Sequence, residues 1–379
     1  MDIKITPSHI EGTICAPPSK SHTHRLMVAL ALSGHEIPES FCTSEDTAAT
    51  RSALSELHDG GKPDCSESGT TLRFLLPIAA ALGVNVTFTG HGRLPERPMS
   101  ALTAALRENG AEISADKLPI TVSGKLHHGV FKVPGYISSQ FISGLLFALP
   151  LLDGDSEIVI EGKRESVGYI DMTLKTLSDF SIKVEQTDSG FKIHGNQKYI
   201  KPECCGVEGD WSNAAFFICM NALGGNIAVT ELDKNSLQSD RAVLELLSRL
   251  GKTIDISQCP DLFPVLAVTA CGTMGDTQFI NAERLRIKES DRIAAVESMI
   301  SSLGGNAEST RDSLTVHGTG RLSGGEVDSA NDHRIVMAAA TAACICDEPV
   351  IIHGAQAVGK SYPNFFEDYK MLGGKADVI

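Results

Sequence analysis

The chain has 379 residues, enough for two or three domains with sizeable cores. Its formal net charge is −14 and it has no run of basic residues, which argues against nucleic acid or an anionic membrane surface as a partner but leaves room for a small anionic ligand. Its longest apolar stretches are shorter than the ~18 to 20 residues that cross a bilayer, and no secretory leader precedes the first strand pattern, so we expect a cytoplasmic protein.

Cysteine and histidine usage gives no sign of a metal site. The ten cysteines are scattered and form no CxxC motif, so we expect free thiols. His22, His24, His127 and His128 have no nearby Cys or Glu-x-x-His partner. We therefore predict no metal site.

One pattern recurs six times: a polar or charged residue, a helix of small apolar residues, a Gly or Asp turn and a strand. The repeats begin near Ser21, Thr70, Ser138, Ser212, Asp261 and Asp332. A short interval followed by longer ones occurs twice, which indicates two halves of three repeats each. Because these helices are apolar on nearly all sides, we expect them to be buried centrally.

A second series of helices, of which SDRAVLELLSRLGKTI is one, is amphipathic and is expected on the outside. Short strands follow several of them, as in LPITVSG, GFKIHG and SLTVHG. Each long repeat then reads strand, helix, strand, helix, strand, strand. The predicted fold class is α/β with mixed sheets, in two domains that each hold three βαβαββ-type units around buried parallel helices.

The last repeat is cut short, and the start of the chain resembles its missing strand pair. The chain ends at KADVI, while DIKIT and GTICAPPSKS stand at its beginning. We expect residues 1–18 to pair within the C-terminal half. The predicted domains are therefore 1–18 with 209–379, and 19–208, with the active site in the cleft between them.

The starts of the buried helices suit anion binding. They carry Lys20, Ser21 and Arg25; Gly69, Thr70 and Arg73; Ser138, Ser139 and Gln140; Ser212 and Asn213; Asp261; and Asp332, His333 and Arg334. Simple N-capping is the interpretation that we favour for Thr71, Ser212 and Asn213. A cation at a helix N-terminus is instead unfavourable by about 0.3 to 1 kcal/mol, so the Lys and Arg residues there predict bound phosphate or carboxylate.

Two charged clusters lie outside these helix starts, RLPERP at 93–98 and RLRIKESDR at 284–292. Such runs more often form a solvated face. Here the alternation of Leu285 and Ile287 favours a strand, and Ser290 or Asp291 favours a helix cap. The charges are therefore predicted at a strand-to-helix junction.

The segment Gly354–Ser361 matches the phosphate-binding pattern GxxxxGK followed by Ser, after a strand-like PVIIH. A nucleotide-hydrolysing domain needs further strands and a metal-holding Asp after this loop, and too few residues remain. We interpret Lys360 instead as a substrate-binding or catalytic lysine.

The chain resembles the EPSP synthase family over its whole length. The motifs SKSHTHR, SGTTLR, ERP, SSQ, GYIDMTL, GDWSNAAF, PDLFP, RIKESDR, NDHR and GKSYPNFF occur in the family's order. The resemblance implies transfer of the enolpyruvyl group of phosphoenolpyruvate to the 5-hydroxyl of shikimate 3-phosphate, with release of phosphate and without a metal or organic cofactor. It also implies the two-domain fold, and we expect a monomer.

The resemblance assigns substrate contacts to matching positions. Shikimate 3-phosphate is expected at Lys20, Ser21, Arg25, Ser138, Ser139, Gln140, Ser166 and Tyr169. Phosphoenolpyruvate is expected at Lys20, Gly69, Arg97, Arg292, Arg334 and Lys360, and Asp261 and Lys288 are further expected substrate contacts. Tyr169 would lie under the shikimate ring.

The resemblance also supplies the catalytic groups, Asp261, Glu289, Lys20, His333 and Lys360. Asp261 is expected to be the base for the attacking hydroxyl and Glu289 the proton donor to the methylene carbon, with His333 and Lys360 assisting. A plain helix cap at Asp261 and a solvated charge at Glu289 are the alternatives.

Glu67, Arg284 and Pro18 depart from the residues common in the family, and an acidic Glu67 near anionic substrates is unexpected. A related enolpyruvyl transferase acts on UDP-N-acetylglucosamine, but it carries a Cys in the loop that is HGRLPERP here. A non-catalytic repeat protein that binds anionic metabolites is the other alternative. It would keep the cationic helix starts without needing Asp261 or Glu289.

Overall fold

The computed structural model describes residues 1–379 and divides into two compact units. Unit N comprises Lys20–Val207, and unit C comprises Met1–Ser19 together with Glu208–Ile379. These division points lie next to the boundaries expected at 18/19 and 208/209. No helix of the chain combines the length and the apolar character needed to cross a membrane.

The chain begins in unit C with strands β1 (Ile3–Thr6) and β2 (Glu11–Cys15). The helices of unit N are α1 (Lys20–Leu32), α2 (Glu45–Ser55), α3 (Gly69–Leu82), α4 (Ser100–Glu108), α5 (Ser139–Ala148) and α6 (Val167–Asp179). Its strands are β3 (Val86–Phe88), β4 (Glu112–Ile113), β5 (Ile120–Ser123), β6 (Val130–Pro134), β7 (Ser156–Glu161), β8 (Val184–Gln186) and β9 (Gly190–Ile193).

The remainder of unit C alternates helices and strands in the same way. Its helices are α7 (Trp211–Ala222), α8 (Val243–Leu246), α9 (Phe263–Cys271), α10 (Arg292–Ser302), α11 (His333–Ala342) and α12 (Phe365–Met371). Its strands are β10 (Asn226–Thr230), β11 (Thr253–Asp255), β12 (Gly275–Ile280), β13 (Asn306–Ser309), β14 (Leu314–Gly318), β15 (Gly325–Asp328), β16 (Val350–His353) and β17 (Lys375–Val378).

Three four-stranded sheets share one strand order: β6-β7-β9-β8, β11-β12-β14-β13 and β15-β16-β1-β17. In each, the first pair is parallel and the following pairs are antiparallel. The third position of the last sheet is occupied by β1 from the start of the chain, with Ile3 opposite Ile352 and Val378. β2 pairs in parallel with β10. The mixed α/β fold class expected from the repeats is confirmed.

The other two sheets have fewer than four strands. β3, β5 and β4 form a three-stranded sheet that Asp64 extends by a single bridge to Thr89, and β2 with β10 form a two-stranded one. The expectation of a strand after the first buried helix is wrong, because a 3-10 turn at Glu39–Phe41 links α1 to α2.

Two further local expectations are wrong. The segment around Leu285 and Ile287 is a 3-10 helix (Glu283–Ile287), not a strand, because Leu285 alone turns into the core. The helix expected in SDRAVLELLSRLGKTI is broken into 3-10 turns around the four-residue α8. Apolar alternation over so few residues does not distinguish these conformations.

Each unit has its own apolar core built on the buried helices. α3 and α5 pack closely in unit N because Gly144 has no side chain; a Cβ there would overlap the Arg73 carbonyl. In unit C every residue of α11 is buried, among them Met337 and the alanines around it. Central burial of the first helix series is therefore confirmed, and the polar first turns of these helices remain as candidates for function.

Candidate functional site

The capping residues of the buried helices differ from those expected. Ser68 caps α3 and accepts a hydrogen bond from the backbone N–H of Thr71, while Asp210 caps α7 and accepts one from that of Asn213. The interpretation of Thr71, Ser212 and Asn213 as caps is wrong. Their side chains are buried in the first helical turn, where they are available to other partners.

In unit N, Arg25 joins the starts of α1 and α6. Its guanidinium donates to the carbonyl oxygens of Ser21 at 2.6 Å and Tyr169 at 2.7 Å, and to Thr173 Oγ1 at 2.9 Å. Burial lowers the pKa of Arg25 to about 10, which still leaves it charged at neutral pH. Ser166 precedes α6 with φ of 54°, and its carbonyl accepts the Tyr169 N–H.

The starts of α3 and α5 are also joined by side chains. Gln140 accepts a hydrogen bond from Arg73 Nη1 and donates one to Thr70 Oγ1, both at 2.7 Å. Ser138 caps α5 and accepts the Gln140 N–H at 3.3 Å, and the neighbouring Ser139 is buried. The free N–H groups of the two helices are thereby held side by side, which favours anion binding.

Gly69 allows a guanidinium to lie against the first turn of α3. A Cβ at Gly69 would be 2.7 Å from Arg97 Nη1 and 3.1 Å from Arg73 Nη1. Arg97 is only 7% exposed. Two buried cations beside a helix N-terminus favour the binding of an anion there.

Lys20 is the first residue of α1, and its Nζ lies 2.6 Å from Asp46 Oδ2 on α2. Sequence reasoning missed Asp46, since nothing in the amphipathic pattern of α2 distinguishes this acidic residue from the others. The pair orients Lys20 and makes it a partly compensated charge before any ligand binds.

In unit C, one arginine gathers three carboxylates. Arg292 donates from Nη1 to Asp261 Oδ1 at 2.6 Å, from Nη2 to Glu289 Oε2 at 2.7 Å and from Nε to Asp332 Oδ2 at 2.8 Å. Ser290 Oγ also donates to Asp332. Burial alone would lower the pKa of Arg292, but the three carboxylates raise it well above its ordinary value.

Asp261 lies among three cations. Arg334 Nη2 is 3.2 Å from Oδ2, and Lys288 Nζ is 3.7 Å from Oδ1. Burial raises the pKa of this carboxyl, but Arg334, Lys288 and Arg292 outweigh it and hold the pKa well below the ordinary range. Burial lowers the pKa of Lys288 to about 8, against the attraction of Asp261. Asp261 lies in the 3-10 turn Pro260–Leu262 that opens α9, not in a cap position.

Arg334, His333 and Lys360 lie around the start of α11. Arg334 donates to Ser212 Oγ at 2.8 Å and to the Asp261 carbonyl at 3.1 Å. His333 is buried with Nδ1 3.8 Å from Asp332 Oδ1. Lys360 Nζ donates to the Asn331 carbonyl at 2.7 Å, two residues before His333.

The site residues expected from sequence thus form two clusters. The unit N cluster contains Lys20, Ser21, Arg25, Gly69, Arg97, Ser138, Ser139, Gln140, Ser166 and Tyr169. The unit C cluster contains Asp261, Lys288, Glu289, Arg292, His333, Arg334 and Lys360. Asp332 and Arg73 were noticed only as polar helix starts, and Asp240, which accepts from Ser212 Oγ, gave no signal. Their importance depends on long-range contacts.

A cleft of about 820 Å³ in unit C lies elsewhere. It is lined by residues of α7, β10 and the turns around α8, among them Trp211, Ile227 and Leu244, and it contains no residue of either cluster. Its lining carries none of the paired cations and carboxylates that make the two clusters chemically distinctive.

Similarity to known proteins identifies the family of the chain. The family model of EPSP synthase (3-phosphoshikimate 1-carboxyvinyltransferase) matches residues 5–255 and 248–369. The chain belongs to the EPSP synthase family. It is 42% identical to the 3-phosphoshikimate 1-carboxyvinyltransferase of Clostridium novyi (strain NT) and 43% identical to that of Clostridium kluyveri, in each case over 99% of this chain and 98% of the relative.

Solved structures support the same fold. An EPSP synthase from Acinetobacter baumannii superposes with a TM-score of 0.80 at 24% identity, covering 100% of both chains. The enolpyruvyl transferase NikO from Streptomyces tendae superposes with a TM-score of 0.78 at 14% identity, covering 99% of this chain and 98% of that one. The chain therefore has the two-domain enolpyruvyl transferase fold of its family.

Proposed function

We propose that this protein is a 3-phosphoshikimate 1-carboxyvinyltransferase, which transfers the enolpyruvyl group of phosphoenolpyruvate to the 5-hydroxyl of shikimate 3-phosphate and releases phosphate. The observation that carries the proposal is the cluster of unit C, in which Arg292 holds Asp261 and Glu289 through separate nitrogens. The reaction needs one group to accept a proton and another to donate one; Asp261 as the carboxylate and Glu289 as the carboxylic acid would supply these two roles.

The cluster of unit N is proposed to bind shikimate 3-phosphate. Arg25, Lys20 and Ser21 would contact the phosphate, with Ser138, Ser139, Gln140 and Ser166 as further ligands and Tyr169 against the ring. Support comes from the two helix starts joined through Gln140 and from the burial of Arg25, whose charge needs an anion close by.

Phosphoenolpyruvate is proposed to bind the cations of both clusters. Gly69 and Arg97 would contribute from unit N, with Lys20 beside them, and Lys288, Arg292, Arg334 and Lys360 from unit C. Arginine suits both the carboxylate and the phosphate of this substrate because its fork of donors matches two oxygens at once.

The addition step forms a C–O bond and moves two protons. Asp261 accepts the proton of the 5-hydroxyl as its oxygen attacks C2 of phosphoenolpyruvate, and Glu289 in its acid form donates a proton to C3. The product is a tetrahedral adduct that still carries the phosphate. The low pKa of Asp261 ensures that it is ionised, and once substrate anions engage Arg334 and Lys288 its basicity should rise.

The elimination step breaks the C–O bond to phosphate and restores the double bond. A proton leaves the new methyl group to Glu289, now a carboxylate, and the departing phosphate takes up the proton that Asp261 gained in the addition, while Lys360 and His333 stabilise the phosphate's charge. Atoms and charge balance without any oxidant or reductant. Preorganised cations are well suited to this role because they are already in place when charge develops.

The deciding assay measures phosphate release from phosphoenolpyruvate with shikimate 3-phosphate or with UDP-N-acetylglucosamine as acceptor. We expect turnover only with shikimate 3-phosphate. Turnover only with the UDP-sugar would assign the related transferase activity, and binding of anions without any phosphate release would indicate a non-catalytic protein.

The base assignment is tested by Asp261→Asn, which keeps size and removes the charge. Turnover should fall by about 10² to 10⁴, the range for a general base. Unaltered turnover would refute the assignment.

We further propose that the protein acts as a monomer, which predicts a mass near 40.3 kDa by light scattering.

A further inference from the structure

A chain of buried hydrogen bonds runs through unit N from α1 to the cap of α3. His24 Nδ1 lies 2.7 Å from Thr50 Oγ1, which lies 2.6 Å from Thr71 Oγ1, and Thr71 Oγ1 donates to Ser68 Oγ at 2.7 Å. All four residues are at most 1% exposed. None of them has a role in the proposed reaction, and a continuous polar chain in an apolar core needs a reason.

The direction of every bond in this chain follows from counting hydrogens. Thr71 Oγ1 donates its only hydrogen to Ser68 Oγ, so it must accept a hydrogen bond from Thr50 Oγ1. Thr50 Oγ1 must then accept from His24, which therefore carries its hydrogen on Nδ1. Burial, and then the charges of Lys20 and Arg25, hold the pKa of His24 well below its ordinary range, so the ring is neutral.

The other nitrogen of this histidine has no partner. His24 Nε2 is buried and makes no hydrogen bond. In an apolar environment this costs free energy that a Leu or Phe at the same position would avoid. The hydrogen bond that Nδ1–H donates to Thr50 Oγ1 gives a reason for a histidine at this position.

This chain of hydrogen bonds links α1 and α3, which both begin with a proposed phosphoenolpyruvate contact, through α2. His24 is on α1, which begins with Lys20; Thr50 is on α2, which carries Asp46, the partner of Lys20; and Thr71 is on α3, which begins with Gly69. Ser68 accepts both the Thr71 hydroxyl and the Thr71 N–H. A shift anywhere along the chain would therefore move Lys20 relative to Gly69.

We propose that His24 is a positioning residue, which through Thr50 and Thr71 fixes the start of α3 against α1 so that Gly69 and Lys20 together bind phosphoenolpyruvate. The inference rests on the proposed function. A displacement of helix starts by a fraction of an ångström weakens ligand contacts while leaving the catalytic carboxylates of unit C in place.

The decisive variant is Thr50→Val, which keeps the shape of the side chain and removes the hydroxyl in the middle of the chain. We expect KM for phosphoenolpyruvate to rise about fivefold with kcat changed less than about twofold, because one hydrogen bond contributes ~1 kcal/mol and its loss here affects binding alone. Thr50→Ser restores the hydroxyl and should return KM to near the native value.

Thr176→Val is the matched control. Thr176 is equally buried in unit N, but its hydroxyl donates only to the carbonyl of Met172 in its own helix. Both valine variants should melt at a lower temperature, whereas only Thr50→Val should change KM. The double variant His24→Phe with Thr50→Val should be no worse in KM than either single variant, since both break the same chain.

Three results would overturn the proposal: an unchanged KM in Thr50→Val, an equal change in KM in Thr176→Val, or additive effects in the double variant. Failure of the proposed function is distinguishable, because it would appear as absent turnover in the unsubstituted protein. If the unsubstituted protein turns over fully and Thr50→Val has an unchanged KM, the role of His24 is contradicted while the proposed function stands.

Discussion

At the scale of single residues, the two clusters combine buried charges whose pKa values are set by their neighbours. Three cations hold the pKa of Asp261 low and keep it ionised. Lys288 faces the same carboxylate, and burial lowers its pKa to about 8. The sequence motif RIKESDR brings these charges into one segment, but their burial and partners depend on α9 and α11. A pKa of about 8 means that Lys288 titrates near physiological pH.

The pKa of Lys288 predicts how activity depends on pH. Its value of about 8 means that the amine is charged below pH 8 and neutral above it, so kcat/KM for phosphoenolpyruvate should fall as pH rises through that value. In Lys288→Arg the charge persists and the fall should move to higher pH. The exposed Lys252→Arg is the control, and identical pH profiles for Lys288→Arg and the native protein would contradict the prediction.

Gly69 predicts a change in binding without a large change in stability. In Gly69→Ala the new methyl would meet the guanidinium of Arg97 at 2.7 Å, and this flexible side chain must move. We expect KM for phosphoenolpyruvate to rise about tenfold, equivalent to ~1.4 kcal/mol, while the melting temperature stays nearly constant. Steady-state kinetics and a thermal melt measure the two quantities, and an unchanged KM would remove Gly69 and Arg97 from the proposed site.

At the scale of elements, the edges of the sheets show how incomplete repeats are stabilised. β10 has β2 on one side only, and its sequence NIAVT contains neither a charge nor a proline to discourage further pairing. The side chain of Asn221 instead binds both the N–H and the C=O of Ile227 at 2.7 Å, as a neighbouring strand would. A side chain from α7 thus takes the place of a strand that the long repeats possess.

Asn221→Ala should therefore expose the outer edge of β10. Loss of two hydrogen bonds should lower the free energy of unfolding by about 1 to 2 kcal/mol, and the freed edge should promote association at high protein concentration. Urea unfolding and size-exclusion chromatography measure these effects. Asn235→Ala, an exposed position in the following loop, should change neither; equal behaviour of the two variants would refute the role of Asn221.

At the scale of the whole molecule, the N-terminal residues complete unit C. β1 lies between β16 and β17, with Ile3 and Ile5 buried in the core of that unit. A long-range pairing of this kind closes a loop of most of the chain, and its entropic cost is offset by the four-stranded sheet that results. Unit C is consequently discontinuous in sequence, whereas unit N is one continuous segment.

Deletion of residues 1–12 should destabilise unit C and leave unit N folded. The deletion removes β1 and leaves the facing edges of β16 and β17 unpaired. The single tryptophan, Trp211, is buried in unit C, so its fluorescence should report an earlier transition, while circular dichroism should retain a second transition from unit N. One unchanged melting profile by both probes would contradict this prediction.

Much of the architecture is determined by local patterns that the sequence itself displays. Helices such as α3 and α11 are predictable because apolar residues on all sides have no stable position except the core, and the six repeats follow from the recurrence of that pattern. The motifs that carry the family resemblance are equally visible. These features depend on residues within one or two turns of each other.

Only the tertiary structure decides which of the polar residues meet. The bonds of Arg292 to Asp261 and Asp332, the Lys20 pair with Asp46 and the links from His24 through Thr50 to Thr71 join residues far apart in sequence. The 3-10 turn in place of a strand at Leu285 likewise depends on packing. Periodicity reports how each segment faces the core, whereas charge pairs and hydrogen bonds depend on where the fold brings segments together.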